Sequence, residues 1–150
     1  MPTIREGLSG LQYFKRMVAG EVPPPPMLDL FDIRLVEVDL GRVVFTAAAD
    51  ERFYNGTGVA HGGFAATLLD TALGCAINST MPVGRRFTTL ELKVNLTRPL
   101  THGVGPVFCE AKVVHLGGRT ATSEGRIVDG HGKLYAHGTT TCIVVDAPRG

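Results

Sequence analysis

The chain has 150 residues, 44% of them hydrophobic and 19% charged, with a formal net charge of +1. That length suits one domain with a sizeable core, and so balanced a charge offers no electrostatic footprint for nucleic acid. No stretch approaches the roughly 18 apolar residues of a membrane span; Arg5, Glu6, Lys15, Arg16 and Glu21 interrupt any signal-peptide core, so a cytoplasmic location without membrane attachment is expected.

Residues 7–20 place Leu8, Leu11, Phe14, Met17 and Val18 at helical spacing, with Ser9 as cap and Gly20 as stop. Pro23, Pro24, Pro25 and Pro26 then predict an extended connector, one that also allows the first helix to lie over the pocket mouth. Residues 1–26 are thus expected to form an N-terminal helix and Pro-rich connector ahead of a main domain over 27–150. Residues 31–40 and 42–49 read as a hairpin about Gly41.

Residues 55–63, N-G-T-G-V-A-H-G-G, hold too much glycine for regular structure. From about Gly63 to Asn78 the pattern is a long helix that is apolar almost all round, and such a helix is buried. One stripe differs: Gly63, Thr67, Asp70, Gly74 and Asn78 share a face. A single carboxylate among residues too small to fill space reads as the lining of a slot. The plain alternative is an Asp bonded inside the core, with glycines that permit close packing. Against it stands the glycine-rich helix start about two turns before Asp70. Such a start offers unpaired N–H groups and the positive end of the helix dipole, and glycine lets a ligand come close.

After Met81, Pro82, Val83 and Gly84 break the chain, residues 87–98 alternate, with Leu90, Leu92, Val94 and Leu96 on one face and Thr89 on the other. Strands are expected over 107–116, 119–128 and 134–145, with hairpin chemistry at Gly117-Gly118 and from Asp129 to Gly132. Helix, two strands, long helix, four strands is an α+β order; the antiparallel sheet must curve around the helix to bury both. Cys75, Cys109 and Cys142 fall in apolar elements and read as buried reduced thiols. No CxxC or His-x3-His spacing occurs, and no metal site is expected.

The pattern N-x-x-G-x-x-H-G-G followed by x-x-x-x-L-x-D, here Asn55, Gly58, His61, Gly62, Gly63, Leu68 and Asp70, resembles the hotdog-fold acyl-CoA thioesterases of the phenylacetate-pathway, PaaI-like branch. The resemblance continues through T-T-L-E-L-K-V-N-L-T-R-P and covers about residues 27–145. It implies a curved antiparallel sheet around a long central helix, with the N-terminal helix as an addition. It also implies hydrolysis of an acyl-CoA, with coenzyme A as part of the substrate and no other cofactor.

The Gly62 N–H would hold the carbonyl oxygen, and Asp70 would be general base or nucleophile. Asn55 would orient water or the thioester, or simply serve the turn. His61 reads as fixing the loop by hydrogen bonding. Thr89 falls where the family often has a hydroxyl facing the site, although strand propensity explains it too. Gly63 lies at the ligand's approach; Arg119 and Thr120, in the turn after Gly118, could meet coenzyme A phosphates or be ordinary surface residues. Some relatives carry Glu where this chain has Asp70. The resemblance also implies a homodimer at least, extending to a homotetramer, with each site shared between subunits. The alternatives are an enoyl-CoA hydratase or dehydratase of the same fold, which H-F-P-G would mark and which is absent here, and a non-catalytic acyl-CoA-binding protein.

Overall fold

A computed structural model describes residues 7–147. The elements are α1 (Gly10–Val18), α2 (Pro26–Leu30), β1 (Arg34–Asp39), β2 (Arg42–Ala48), α3 (Gly62–Ser79), β3 (Arg85–Leu96), β4 (Pro106–Leu116), β5 (Thr120–Asp129) and β6 (Leu134–Asp146). One antiparallel sheet holds all six strands in the order β1-β2-β4-β5-β6-β3. The chain leaves β2, runs through α3, and enters the sheet again at its far edge as β3.

α3 packs on one face of this sheet, against β2, β3, β4, β5 and β6. Leu68, Leu69, Leu73 and Ile77 are buried there, the first three in one cluster with Phe45, Val107 and Ile127. Burying one such side chain stabilises by about 1.5–3 kcal/mol, so this face is the main reason helix and sheet stay together. Ala66, Thr67, Asp70 and Thr71 lie on a side of α3 that is only half-buried. The helix is therefore not enclosed all round, and Asp70 is half-buried rather than sealed in the core. At Gly74 the small-residue stripe is filled from β3: an added Cβ would stand 3.0 Å from the Phe87 ring.

The sheet faces the helix with two glycines, Gly125 of β5 and Gly138 of β6, that are paired across strands. A Cβ at Gly125 would lie 3.2 Å from the Leu73 side chain and 2.9 Å from the Glu110 carbonyl. A Cβ at Gly138 would run into the Lys93 carbonyl of β3 and stand 3.5 Å from Leu69. Neither site has room for a methyl group, because strand and helix already occupy the space.

α1 begins as expected. The Ser9 hydroxyl accepts from Gln12 N–H at 3.3 Å and Gln12 Oε1 accepts from Ser9 N–H at 2.9 Å, a reciprocal capping box. Tyr13 and Phe14 are buried. Gly10 packs directly on the Asn78 carbonyl, and its N–H donates to the Met81 carbonyl at 2.9 Å. α1 thus covers the C-terminal end of α3, and none of its residues lines the cleft at Gly62; it does not lie over that mouth.

Three local expectations are corrected. The proline run does not stay extended: Pro26 occupies the first turn of α2, where its fixed φ suits a helix and its missing N–H costs nothing. β1 consequently starts at Arg34 rather than 31. In β3 a bulge between Thr89 and Glu91 makes Leu90 an extra residue. Strict alternation would leave Thr89 on the face opposite Leu92 and Val94; the bulge instead turns it toward α3 and leaves Leu90 61% exposed.

The Gly125–Gly138 close approach predicts that Gly138→Ala destabilises the fold by about 1–3 kcal/mol, the usual cost of overpacking. Gly130→Ala, with nothing within 4 Å of the added methyl, should stay within about 0.5 kcal/mol of the parent. Urea denaturation of both variants compares them; equal midpoints would show that the sheet can relax away from the helix.

Candidate active site

The stretch before α3 is short of regular structure but not of bonds. The Asn55 Oδ1 accepts from Thr57 N–H at 2.9 Å and from the Thr57 hydroxyl at 2.7 Å. Asn55 N–H donates to Val59 O at 2.8 Å, and Gly58, at φ +80°, donates to Asn55 O. Ala60 N–H then reaches Leu100 O, and His61 N–H reaches Phe53 O at 2.7 Å. Phe53 is itself stacked between Phe31 and Phe64, with ring centroids 5.0 and 5.1 Å away. The entry to α3 is held from α2, from the sheet side and from its own turn.

His61 is the N-cap of α3, its Nδ1 accepting from Gly63 N–H at 2.9 Å. Acceptance at Nδ1 leaves Nε2 to carry the ring proton. The histidine caps the helix start, and the Gly63 amide is engaged. Gly63 itself is not among the residues that line the cleft at Gly62. Gly62 is the first helical residue, where no intrahelical carbonyl awaits its N–H, and no hydrogen bond from it occurs among the described residues. Gly62 lines a cleft of about 280 Å³ bounded also by Asn55, His61, Ala65, Leu96 and Tyr135. Tyr135 donates to Asp129 Oδ2 at 3.3 Å, and burial, followed by the Asp129 charge, pushes its hydroxyl up from the ordinary value.

Further along α3, the Thr89 hydroxyl donates to Asp70 Oδ1 at 3.1 Å. Among the described residues no hydrogen bond reaches Oδ2, which is left for water or a ligand. The two expected members of the carboxylate site, Asp70 and Thr89, are thus in contact, and His61, Gly62 and Asn55 line the same cleft. These two groups are separate. Eight residues of helix between Gly62 and Asp70 amount to about 12 Å of rise. A carbonyl oxygen sits roughly 3 Å from its donor, and its carbon roughly 3–3.5 Å from an attacking atom. One carbonyl cannot be served by Gly62 N–H and Asp70 of the same helix.

Arg119 and Thr120 are exposed at the start of β5. The Arg119 carbonyl accepts from Val144 N–H, and Ala121 is the strand neighbour of Cys142, which in turn pairs with Thr89. They lie two strands from Thr89, about 10 Å across the sheet, and away from the Gly62 cleft. Leu96 and Tyr135 were not expected in the cleft; they come from β3 and β6, and no local motif marks residues gathered from two distant strands. Among the described residues no cluster of His, Cys, Asp or Glu could hold a metal ion, and no helix is long and apolar enough to cross a membrane.

The sequence profile of the Thioesterase superfamily matches residues 57–136, more than half of the chain. A protein of Saccharolobus solfataricus, named as a proposed esterase, is 32% identical over 108 residues, covering 70% of this chain and 73% of that protein. The chain belongs to the Thioesterase superfamily.

A proposed esterase of Halobacterium salinarum is 39% identical over 75 residues, 49% of this chain and 48% of that protein, so the chain matches about half of that relative's length. Among solved structures, a proposed thioesterase of Ralstonia eutropha, described as related to phenylacetic acid degradation, superposes with a TM-score of 0.79 at 28% identity, covering 87% of this chain and 98% of that one. The sheet wrapped on one long helix is the superfamily's hotdog fold, and the PaaI-like resemblance has its counterpart in that structure. The profile spans Gly62, Asp70 and Thr89, whereas Asn55 lies just ahead of it.

The capping geometry of this superfamily member predicts that His61→Ala lowers stability by about 0.5–2 kcal/mol. His61→Asn, which can also accept from Gly63 N–H, should recover most of that loss in chemical denaturation. Equal stability of the two variants would mean that the histidine does not cap α3.

Proposed function

We propose that the protein hydrolyses an acyl-CoA thioester to a free carboxylic acid and coenzyme A. The observation that carries this reading is Asp70, held through one oxygen by Thr89 with the other left open, on a helix whose first N–H is also unpaired. Superfamily membership supports the thioester as the bond attacked.

The chemistry asks little of the protein. The leaving thiol has a pKa near about 8.5, so the C–S bond can break without strong acid assistance. Gly62 N–H, at the positive end of the α3 dipole, stabilises negative charge on the carbonyl oxygen. Asp70 takes a proton from water as the water oxygen bonds to the carbonyl carbon; collapse of the tetrahedral species breaks C–S, and the thiolate takes up the proton. In the nucleophilic variant Asp70 itself attacks, the thiolate leaves, and water hydrolyses the resulting anhydride. Thr89 steadies the carboxylate in either route. The Asn55 side chain, bound into its own turn, shapes the cleft that receives the substrate. No cofactor enters either route beyond the coenzyme A of the substrate, and Arg119 and Thr120 are exposed where a phosphate could meet them.

The active unit is a homodimer at least. The 12 Å between Gly62 and Asp70 asks for the N–H of one subunit and the carboxylate of another, as estimated from the helical rise. β3 is an edge strand of 12 residues, with Leu90 and Leu96 61% and 57% exposed. Pairing with a twofold copy would remove that long open edge, and further association to a tetramer would build on the same dimer.

Asp70→Asn keeps the size of the side chain and removes its basicity. Steady-state kinetics on a panel of aliphatic and aromatic acyl-CoAs should show kcat lowered by roughly 10²–10⁴, with the circular dichroism spectrum unchanged. Turnover near that of the parent would make Asp70 a structural residue and remove the basis of the proposal.

A further inference from the structure

We propose that Cys142 is a positioning residue, whose thiol hydrogen-bonds the Thr89 hydroxyl and so directs that hydroxyl's proton onto Asp70. The inference rests on the role of Asp70 given above and adds a third member behind it. Cys142 of β6 lies directly opposite Thr89 of β3 in the strand register. Its Sγ stands 4.0 Å from Thr89 Oγ1, the long end of a sulfur donor's reach, and Thr89 Oγ1 stands 3.1 Å from Asp70 Oδ1. The three groups form one chain, S–H to O–H to carboxylate.

The direction of that chain follows from proton counting. A hydroxyl has one proton to give and lone pairs to receive with, whereas an ionised carboxylate only accepts. The Thr89–Asp70 bond must therefore use the hydroxyl proton, and the thiol completes the hydroxyl from the other side as a donor. Were the sulfur a thiolate, it would compete for that same proton and draw it from Asp70. Burial, the largest influence on it, pushes the Cys142 thiol up from its ordinary value, against weaker opposing pulls from Thr89 and Thr140; the S–H form therefore persists at neutral pH.

The thiol's polar neighbours are the hydroxyls of Thr89 and Thr140, and of the two it is Thr89 that bonds Asp70. Cys142 is 0% exposed, so no bulk water competes. Its β5 neighbour is Ala121, and the nearby Thr140 hydroxyl donates at 2.7 Å to Glu91 O. The bulge at Leu90 is what makes the arrangement possible, because without it Thr89 would face away from both partners.

The test is a double-mutant cycle in the full chain, using an acyl-CoA that the parent hydrolyses. Cys142→Ala should lower kcat about twofold to tenfold with KM unchanged, as befits one weak hydrogen bond, and Thr89→Val should lower it further. In the Thr89→Val background, Cys142→Ala should cost nothing more, since the thiol acts only through the hydroxyl. Losses that simply multiply would show that Cys142 acts through packing and would overturn the proposal.

A second readout needs no change at Cys142: the S–H stretching band in the infrared spectrum should move to higher frequency in Thr89→Val. An unmoved band would overturn the hydrogen bond directly. Parent-like kcat in Cys142→Ala beside an inactive Asp70→Asn would remove the relay and leave the thioesterase reading standing; an active Asp70→Asn would remove that reading itself.

Discussion

The burial of α3 against one face of the sheet is the constraint from which the other features follow. Leu68, Leu69 and Leu73 are 0% exposed, and the strands that cover them come from both halves of the sheet. A helix held along one side over most of its length behaves as a rigid rod. It fixes Gly62 and Asp70 about 12 Å apart by helical rise alone, and no loop motion within the chain can close that gap. The proposal that a second copy completes each site rests on that separation. The half-open side of α3, with Thr67, Asp70 and Thr71, faces away from the chain's own core.

The sheet meets the helix through two departures from regular strand geometry. The Gly125–Gly138 pair removes side chains where β5 and β6 approach Leu69 and Leu73. The bulge at Leu90 shifts the facing of β3 by one residue. Below it Phe87 fills the space at Gly74 and Thr89 reaches Asp70; above it Leu92 and Val94 pack against the core. One inserted residue thus lets a single strand serve the core along its length and still present a hydroxyl to the carboxylate. The cost is an exposed Leu90 on the free edge, where a paired copy would cover it.

Much of this was legible in the residues, for reasons that are local. Ser9 announces a helix start, Gly117-Gly118 a hairpin, and the 63–78 pattern a helix too apolar to be free. Asp70 stood out because it is the only charge on that helix, and the His61–Gly62–Gly63 start because glycine there has few other uses. What stayed hidden depends on geometry that alternation does not encode. Pro26 reads as an interruption, yet at a first turn it favours a helix. Thr89 belongs to the polar face of an unbroken strand, and only the bulge brings it inward. The far-edge position of β3 and the gathering of Leu96 and Tyr135 around the Gly62 cleft are long-range facts, with no neighbouring residue to signal them.

The claim on which the account turns is that each site takes its Gly62 N–H from one subunit and its Asp70 from another. It is tested by exchanging subunits between two variants that are inactive alone, Gly62→Val and Asp70→Ala, with heterodimer formation confirmed by mass spectrometry. In a shared-site dimer each mixed pair holds one site with both groups intact and one with neither, so random exchange should return roughly a quarter of the parent activity. Mixed dimers that form and remain inactive would contradict the shared site.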